Sequence, residues 1–198
     1  SKTQADHYIS MGLTAENVAV RYNITREQQD QFAYDSQKKA AAAKAANKFT
    51  EIVPTPAVRF NKKEDGTFQK ETFIQDFDDG IRESTTIEGL ASLRPAFSAT
   101  GSVTAGNSSQ MTDGAAATII ACEEKVKELG LTPLAKFKSY TTAGCRPDEM
   151  GVGPLYAIPK LLTLANVDLK DIGTFEINEA FASQALYCTR ELGIDLDK

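Results

Sequence analysis

The chain has 198 residues, 41% of them hydrophobic and 25% charged, which suits one or two domains with an ordinary globular core. A net charge of −5 argues against a general nucleic-acid binder, and no apolar run reaches the length of about 18 residues that a membrane span needs. Three cysteines at unrelated spacings make neither a disulfide framework nor a zinc signature and point to a reducing intracellular compartment; no signal peptide is visible.

The predicted elements begin with a short helix over 15–22. Thr25-Arg26-Glu27-Gln28 fits a capping box, with Thr25 as N-cap and Gln28 three residues on. Residues 29–46, rich in Ala, Gln and Lys, extend that helix to a stop at Asn47, with Phe32, Ala33, Ser36 and Ala40 near one face. Residues 49–60 read as extended but carry Pro54 and Pro56, so they form an edge strand at best. Residues 61–79 are polar and turn-rich, and Asp76, Asp78 and Asp79 read as a solvated acidic loop, since a metal would need further oxygen ligands.

Thr85-Thr86-Ile87-Glu88 fits a second capping box and opens a short helix through Ser92, ended by Pro95. Small polar residues over 104–114 suggest tight backbone packing. A buried strand is expected at 115–122, a helix at 123–129 closed by Gly130, and a strand at 135–140. The helix expected at 153–166 contains Pro159, which should kink it or sit near its first turn. A last strand at 173–178 runs into an amphipathic helix at 179–192 stopped by Gly193. Alternating strand and helix in the second half predicts an α/β layer.

The richest stretch is Asn178-Glu179-Ala180-Phe181-Ala182, where that last strand gives way to its helix. The carboxyl end of a strand in an α/β layer is where ligands bind. Asn178 there can donate an N–H to a developing oxyanion, directly or through a held water, or it can simply cap the helix. Cys145, in Ala143-Gly144-Cys145-Arg146-Pro147, has a basic neighbour that hints at an activated thiol; the plainer reading is a bystander on a loop. Cys122 and Cys188 fall in strand and helix patterns and read as core.

Further motifs stand in order along the chain. They are Gly80-Ile81-Arg82, Leu93-Arg94-Pro95-Ala96-Phe97, Thr104-Ala105-Gly106-Asn107-Ser108-Ser109-Gln110, Asp113-Gly114-Ala115-Ala116 and Met150-Gly151-Val152-Gly153-Pro154. With Asn178-Glu179-Ala180-Phe181-Ala182 they resemble the thiolase family over nearly the whole chain, and within it most nearly the peroxisomal 3-ketoacyl-CoA branch.

That resemblance implies an α/β thiolase fold of layered αβαβα type, with residues 1–100 as the loop domain, 101–131 as the end of the amino-terminal catalytic half and 132–198 as the start of the carboxy-terminal one. It implies thiolytic cleavage of 3-ketoacyl-CoA in β-oxidation, with coenzyme A as substrate and no metal or other cofactor. Asn178 and Glu179 would be catalytic residues, Asn178 holding a water for an oxyanion hole. Arg82 would meet the nucleotide end of coenzyme A, Ala105, Ser109 and Met111 the pantetheine, Met150 and Phe181 the reactive end, and Met11 the substrate tunnel. Ser10 stands where biosynthetic acetoacetyl-CoA thiolases commonly carry histidine, which favours the degradative branch; acetoacetyl-CoA thiolase and a non-catalytic acyl-CoA binding module are the alternatives.

The family's nucleophilic cysteine, Gly-His-Pro histidine and Cys-x-Gly cysteine do not occur: the only histidine is His7, followed by Tyr8. The resemblance therefore implies a central segment of a homodimeric or homotetrameric enzyme, peroxisomal in location, or else mitochondrial or cytoplasmic.

Overall fold

The computed structural model describes residues 6–198. Helix α1 (Met11–Arg21) starts earlier than the apolar pattern suggests, because Ser10 is an N-cap whose hydroxyl accepts from the Leu13 N–H. Helix α2 (Arg26–Ala45) carries the expected reciprocal capping box between Thr25 and Gln28, and Asn47 leaves it in the left-handed region at φ 51°.

Strands β1 (Thr55–Lys62) and β2 (Phe68–Gln75) pair antiparallel, from Thr55 opposite Gln75 to Lys62 opposite Phe68. The expected loop at 61–79 thus contains a strand. Its turn lies at Asp65-Gly66, where Gly66 takes φ 82° and Asp65 accepts from the Thr67 N–H, the chemistry of a tight hairpin. Pro56 sits in β1 as expected for a strand with a free edge. Asp76, Asp78 and Asp79 lie exposed beyond the hairpin.

Helix α3 (Ile87–Ala91) is capped by Thr86 rather than Thr85, whose hydroxyl is taken by the Arg82 carbonyl. Then follow α4 (Glu123–Glu128), a 3₁₀ turn (Pro147–Val152), α5 (Pro154–Ala165) and α6 (Ala182–Leu192). Pro154, not Pro159, occupies the first turn of α5, and Asn166 closes that helix at φ 50°.

The core forms where α1, the Pro147–Val152 turn and α6 meet, with Ala15, Val18, Ala19, Val152, Ala185 and Cys188 buried. Helix α2 lies on the other side of α6 and also touches α3. Polar groups lock this assembly. Arg21 forms ion pairs with Asp148 and with Glu149 (2.9 Å), Tyr22 donates to Glu149 at 2.9 Å, and the Tyr22 ring stacks on Tyr187 at 3.7 Å. Glu16, also buried, accepts from the N–H groups of Ser102 and Val103 at 2.9 and 3.0 Å.

Three expected strands do not form ladders. Residues 115–122, 135–140 and 173–178 have no strand partner among the described residues, and Ile119, Ile120 and Phe137 stand more than three-quarters exposed. An apolar run becomes a strand only when a neighbour takes its N–H and C=O groups. For the same reason Cys122, expected in the core, is exposed, while Cys188 is buried as expected.

Candidate functional site

The corner at 178–182 is shaped by its neighbours rather than by its own helix. The Ser109 N–H donates to the Ala180 carbonyl and the Ala182 N–H to the Asn107 carbonyl, both at 2.9 Å, with Ser108 bridging to Phe181. This short antiparallel clamp holds Phe181 extended, so the helix expected from Glu179 begins three residues later, at Ala182. Gln184 closes its first turn by accepting from the Phe181 N–H at 3.3 Å. Asn178 is therefore not an N-cap, and the capping reading of that residue falls.

The clamp is anchored in turn by α2. Asn107 is buried: its carboxamide donates to Asp30 at 2.9 Å and to the Ser102 carbonyl at 3.2 Å, and accepts from the Thr104 N–H at 2.8 Å. Two turns along the same helix, the Ser36 hydroxyl donates to Glu179 at 2.6 Å. Next to it, Gln37 accepts from the Arg82 N–H at 2.7 Å. From the other side Gln110 donates to the Gly80 carbonyl, also at 2.7 Å.

These contacts surround a cleft of about 210 Å³ whose lining includes Ser36, Gln37, Ser109, Gln110, Asn178 and Glu179. Buried Ala33, Asn107 and Ala182 form its base. Pockets for whole drug-sized ligands run to about 300–1,000 Å³, so this cleft accommodates one portion of a long ligand. A wider groove of about 620 Å³ runs behind Glu179, between α2 and residues 175–177 and 194–198. It borders an apolar segment without a ladder partner among the described residues, so the smaller cleft, where the polar groups converge, is the better candidate site.

The structure gathers Asn178, Glu179 and Ser109 in one cleft and ties the Arg82 backbone to its rim. Phe181 meets Phe97 edge to face, with ring centroids 5.9 Å apart. Phe97 lies flat against Gly12, where a Cβ would come within 2.1 Å of the ring, so the bare glycine brings the start of α1, and with it Met11, to this aromatic pair. Ala105 and Arg82 are exposed beside these elements. Met111 is fully exposed, beyond the clamp. Met150 is half-exposed on the 3₁₀ turn, and its neighbour Gly151 packs on the Gln184 side chain at the start of α6.

Cys145 is not set up as a nucleophile. Burial, and then the Glu149 carboxylate, push its thiol above the ordinary value. Arg146, which suggested an electropositive setting, is spent on Asp148 at 3.1 Å. Burial pushes Cys188 up to about 11, and its thiol donates to the Gly151 carbonyl at 3.5 Å.

Sequence reasoning missed Ser36 and Gln37 as contacts of the site, although the helical spacing already placed Ser36 on the face of Phe32 and Ala33. It also missed the carboxylates Glu16, Asp30, Asp148 and Glu149, because a charged residue in a helix pattern reads as solvated until its partner is in view.

The comparisons with known proteins agree with this architecture. Residues 2–124 match the description "Thiolase, N-terminal domain" and residues 131–198 match "Thiolase, C-terminal domain". The 3-ketoacyl-CoA thiolase of Bacillus subtilis is 51% identical over 194 residues, 98% of this chain and 50% of that protein. The human peroxisomal 3-ketoacyl-CoA thiolase is 52% identical over 98% of this chain and 45% of that protein. The crystal structure of the dimeric peroxisomal thiolase of Saccharomyces cerevisiae superposes with a TM-score of 0.89 at 43% identity, covering all of this chain and 48% of that one. A Bacillus anthracis acetyl-CoA acetyltransferase gives 0.86 at 42% identity, over 97% of this chain and 47% of that one. The chain thus spans about half the length of the relatives it matches, and those superpositions give it the α/β thiolase fold. On the family match over both its parts, this chain belongs to the thiolase family.

Proposed function

We propose that these residues serve a 3-ketoacyl-CoA thiolase, an acyltransferase that cleaves 3-ketoacyl-CoA with coenzyme A to acetyl-CoA and a shortened acyl-CoA. The observation that carries the proposal is the cleft in which the Asn178 carboxamide stands beside Glu179 and Ser109 in a chain of this family. The chemistry is nucleophilic catalysis in two steps. A cysteine thiolate attacks the 3-keto carbon, the carbon–carbon bond breaks, and an acyl-cysteine and an acetyl-CoA enolate form. A second cysteine protonates the enolate, and coenzyme A takes the acyl group. Each step builds charge on a carbonyl oxygen, and Asn178 supports one such oxyanion through a held water. The nucleophile, acid and histidine come from elsewhere in the complete enzyme, and neither a metal nor another cofactor enters the reaction.

Residues 1–100 act as the loop domain over the site, 101–131 end one catalytic half, and 132–198 begin the other. Arg82 pairs with the phosphates of coenzyme A; Ala105, Ser109 and Met111 line the pantetheine; Met11, Met150 and Phe181 border the acyl end. Working as a homodimer is supported by the dimeric yeast relative. A peroxisomal location is supported by peroxisomal relatives, against which stands the bacterial one.

The test is thiolysis by the full-length polypeptide, with acetoacetyl-CoA and a longer 3-ketoacyl-CoA as substrates. Turnover of both supports the proposal. Turnover of acetoacetyl-CoA alone replaces it with the acetoacetyl-CoA thiolase reading, which the Bacillus anthracis neighbour keeps open. Tight coenzyme A binding without turnover replaces it with a binding module.

A further inference from the structure

One arc of α2 touches both ends of the candidate site through residues one to two turns apart. Asp30, Ala33, Ser36 and Gln37 fall within about 120° of the helix circumference. Asp30 holds Asn107, and through it the backbone clamp on 180–182. Ser36 holds Glu179, which follows Asn178 directly. Gln37 holds the backbone of Arg82. Segments more than 90 residues apart in the chain are thus referenced to one rigid helix.

We infer that α2 works as a ruler for the site, and that Ser36 and Gln37 are positioning residues with separate duties. Ser36 sets the carboxamide of Asn178 by fixing its neighbour Glu179. Gln37 sets the guanidinium of Arg82 by fixing the start of its side chain. This inference rests on the function proposed above, and neither residue touches the reacting atoms.

The geometry supports a division of labour. Arg82 lies in a loop without regular structure: Gln110 holds the Gly80 carbonyl and Gln37 the Arg82 N–H, while the Arg82 carbonyl accepts from Thr85, and Lys38 and Lys44 hold the next residue, Glu83. Loss of Gln37 removes the bond to the Arg82 N–H and loosens the start of that side chain, while Lys38 and Lys44 still hold Glu83 and the 178–182 corner is untouched. The corner has main-chain bonds only from Ala180 onward, so Glu179 depends on Ser36 for its own anchor. Loss of Ser36 therefore loosens the residue beside Asn178 and leaves Arg82 in place. Phosphate binding far from the chemistry acts equally in ground and transition states, whereas oxyanion support acts in the transition state alone.

The experiment is steady-state thiolysis of acetoacetyl-CoA by the full-length polypeptide, titrating coenzyme A, with Tm measured for each variant. Gln37→Ala should raise KM for coenzyme A about five- to tenfold with kcat within about twofold, the effect of one lost hydrogen bond. Ser36→Ala should lower kcat about five- to tenfold with KM within about twofold. Gln37→Glu and Ser36→Thr keep the acceptor and the hydroxyl and should restore both constants. Two controls separate this inference from the reading beneath it: Arg82→Ala should raise KM and Asn178→Ala should lower kcat. Controls that leave these constants at wild-type values overturn the site assignment and the ruler with it. Controls that behave as stated, beside Ser36→Ala and Gln37→Ala variants that change only Tm or move kcat and KM alike, overturn the ruler alone.

Discussion

Gly101→Ala should be a strongly disruptive single methyl. A Cβ at Gly101 would sit 1.9 Å from one Glu16 carboxylate oxygen and 2.8 Å from the other. Glu16 is buried in α1, and its two oxygens bind the Ser102 and Val103 N–H groups, Val103 being fully buried. The new methyl must displace that carboxylate, and the obstacle is its charged end rather than a flexible tip free to turn into solvent. Hydrogen bonds to a charged group are worth about 1.5–3 kcal/mol each, and orphaned buried N–H groups add a desolvation cost. Partial relaxation takes some of this back, which leaves a loss of about 3–5 kcal/mol, a large share of the 5–15 kcal/mol typical of a folded domain. Equilibrium urea unfolding followed by circular dichroism reads this as a lower midpoint at unchanged slope. Glu16→Gln, which keeps an acceptor and the side-chain shape, should cost less than half as much. A Gly101→Ala protein within about 1 kcal/mol of the parent would refute the claim that this carboxylate fixes the 101–103 segment.

In the full-length polypeptide, Asn178→Ala should lower kcat by about 10²–10³, less where a water replaces the carboxamide. Its Tm should hold, since α6 starts at Ala182, and Asn178→Asp with full activity would end the oxyanion role. Arg82→Ala should raise KM for coenzyme A with kcat nearly unchanged, since one charge-assisted contact to phosphate is worth about 1.5–3 kcal/mol; an unchanged KM removes Arg82 from the site. Arg21, and after it Arg146, hold the Asp148 carboxyl well below the usual carboxylate range. That stability is present above the unfolded-state value near pH 4 and lost as pH falls through the depressed folded value, so Arg21→Met should flatten the acid limb of a Tm–pH curve. Burial, and then the bond to Glu149, push Tyr22 up to about 12. Its contribution is full below about pH 10 and fades between 10 and 12, a decline that Tyr22→Phe should remove.

Much of the fold was legible because its signals are local. The Thr25–Gln28 capping box, the stop at Asn47 and the Gly193 close of α6 each follow from a few adjacent residues, and each stands where expected. The hairpin was half legible. Pro54 and Pro56 marked an edge strand, but charged and amide side chains on both faces of β2 hid its alternation, and Asp65-Gly66 was the signal passed over. The start of α6 was misplaced because the sequence of 179–181 suits a helix, while the 107–109 backbone claims those groups first. No sequence pattern records a bond across more than 70 residues such as Asp30 to Asn107. The candidate site was legible as motifs; that α2 ties three of them together was not, since it depends on which side chains share an arc of one helix.

The same distinction accounts for the strands that did not form. Residues 115–122, 135–140 and 173–178 carry apolar patterns that no local rule would assign to a loop, yet they have no regular structure, and Ile119, Ile120, Phe137 and Tyr140 are open to solvent. Apolar side chains exposed beside N–H and C=O groups without a ladder partner are an unstable surface in water, prone to pair with any free strand edge. Helices satisfy their own backbone, which is why α1, α2 and α6 pack into a core without a sheet beneath them. The clamp between 107–109 and 180–182 is the one place where the extended segments of the two matched parts meet through backbone bonds among the described residues. It lies in the small cleft, one residue from Glu179 and two from Asn178. The groups assigned to chemistry are therefore held by backbone pairing and by α2, and do not depend on the open strands for their mutual placement.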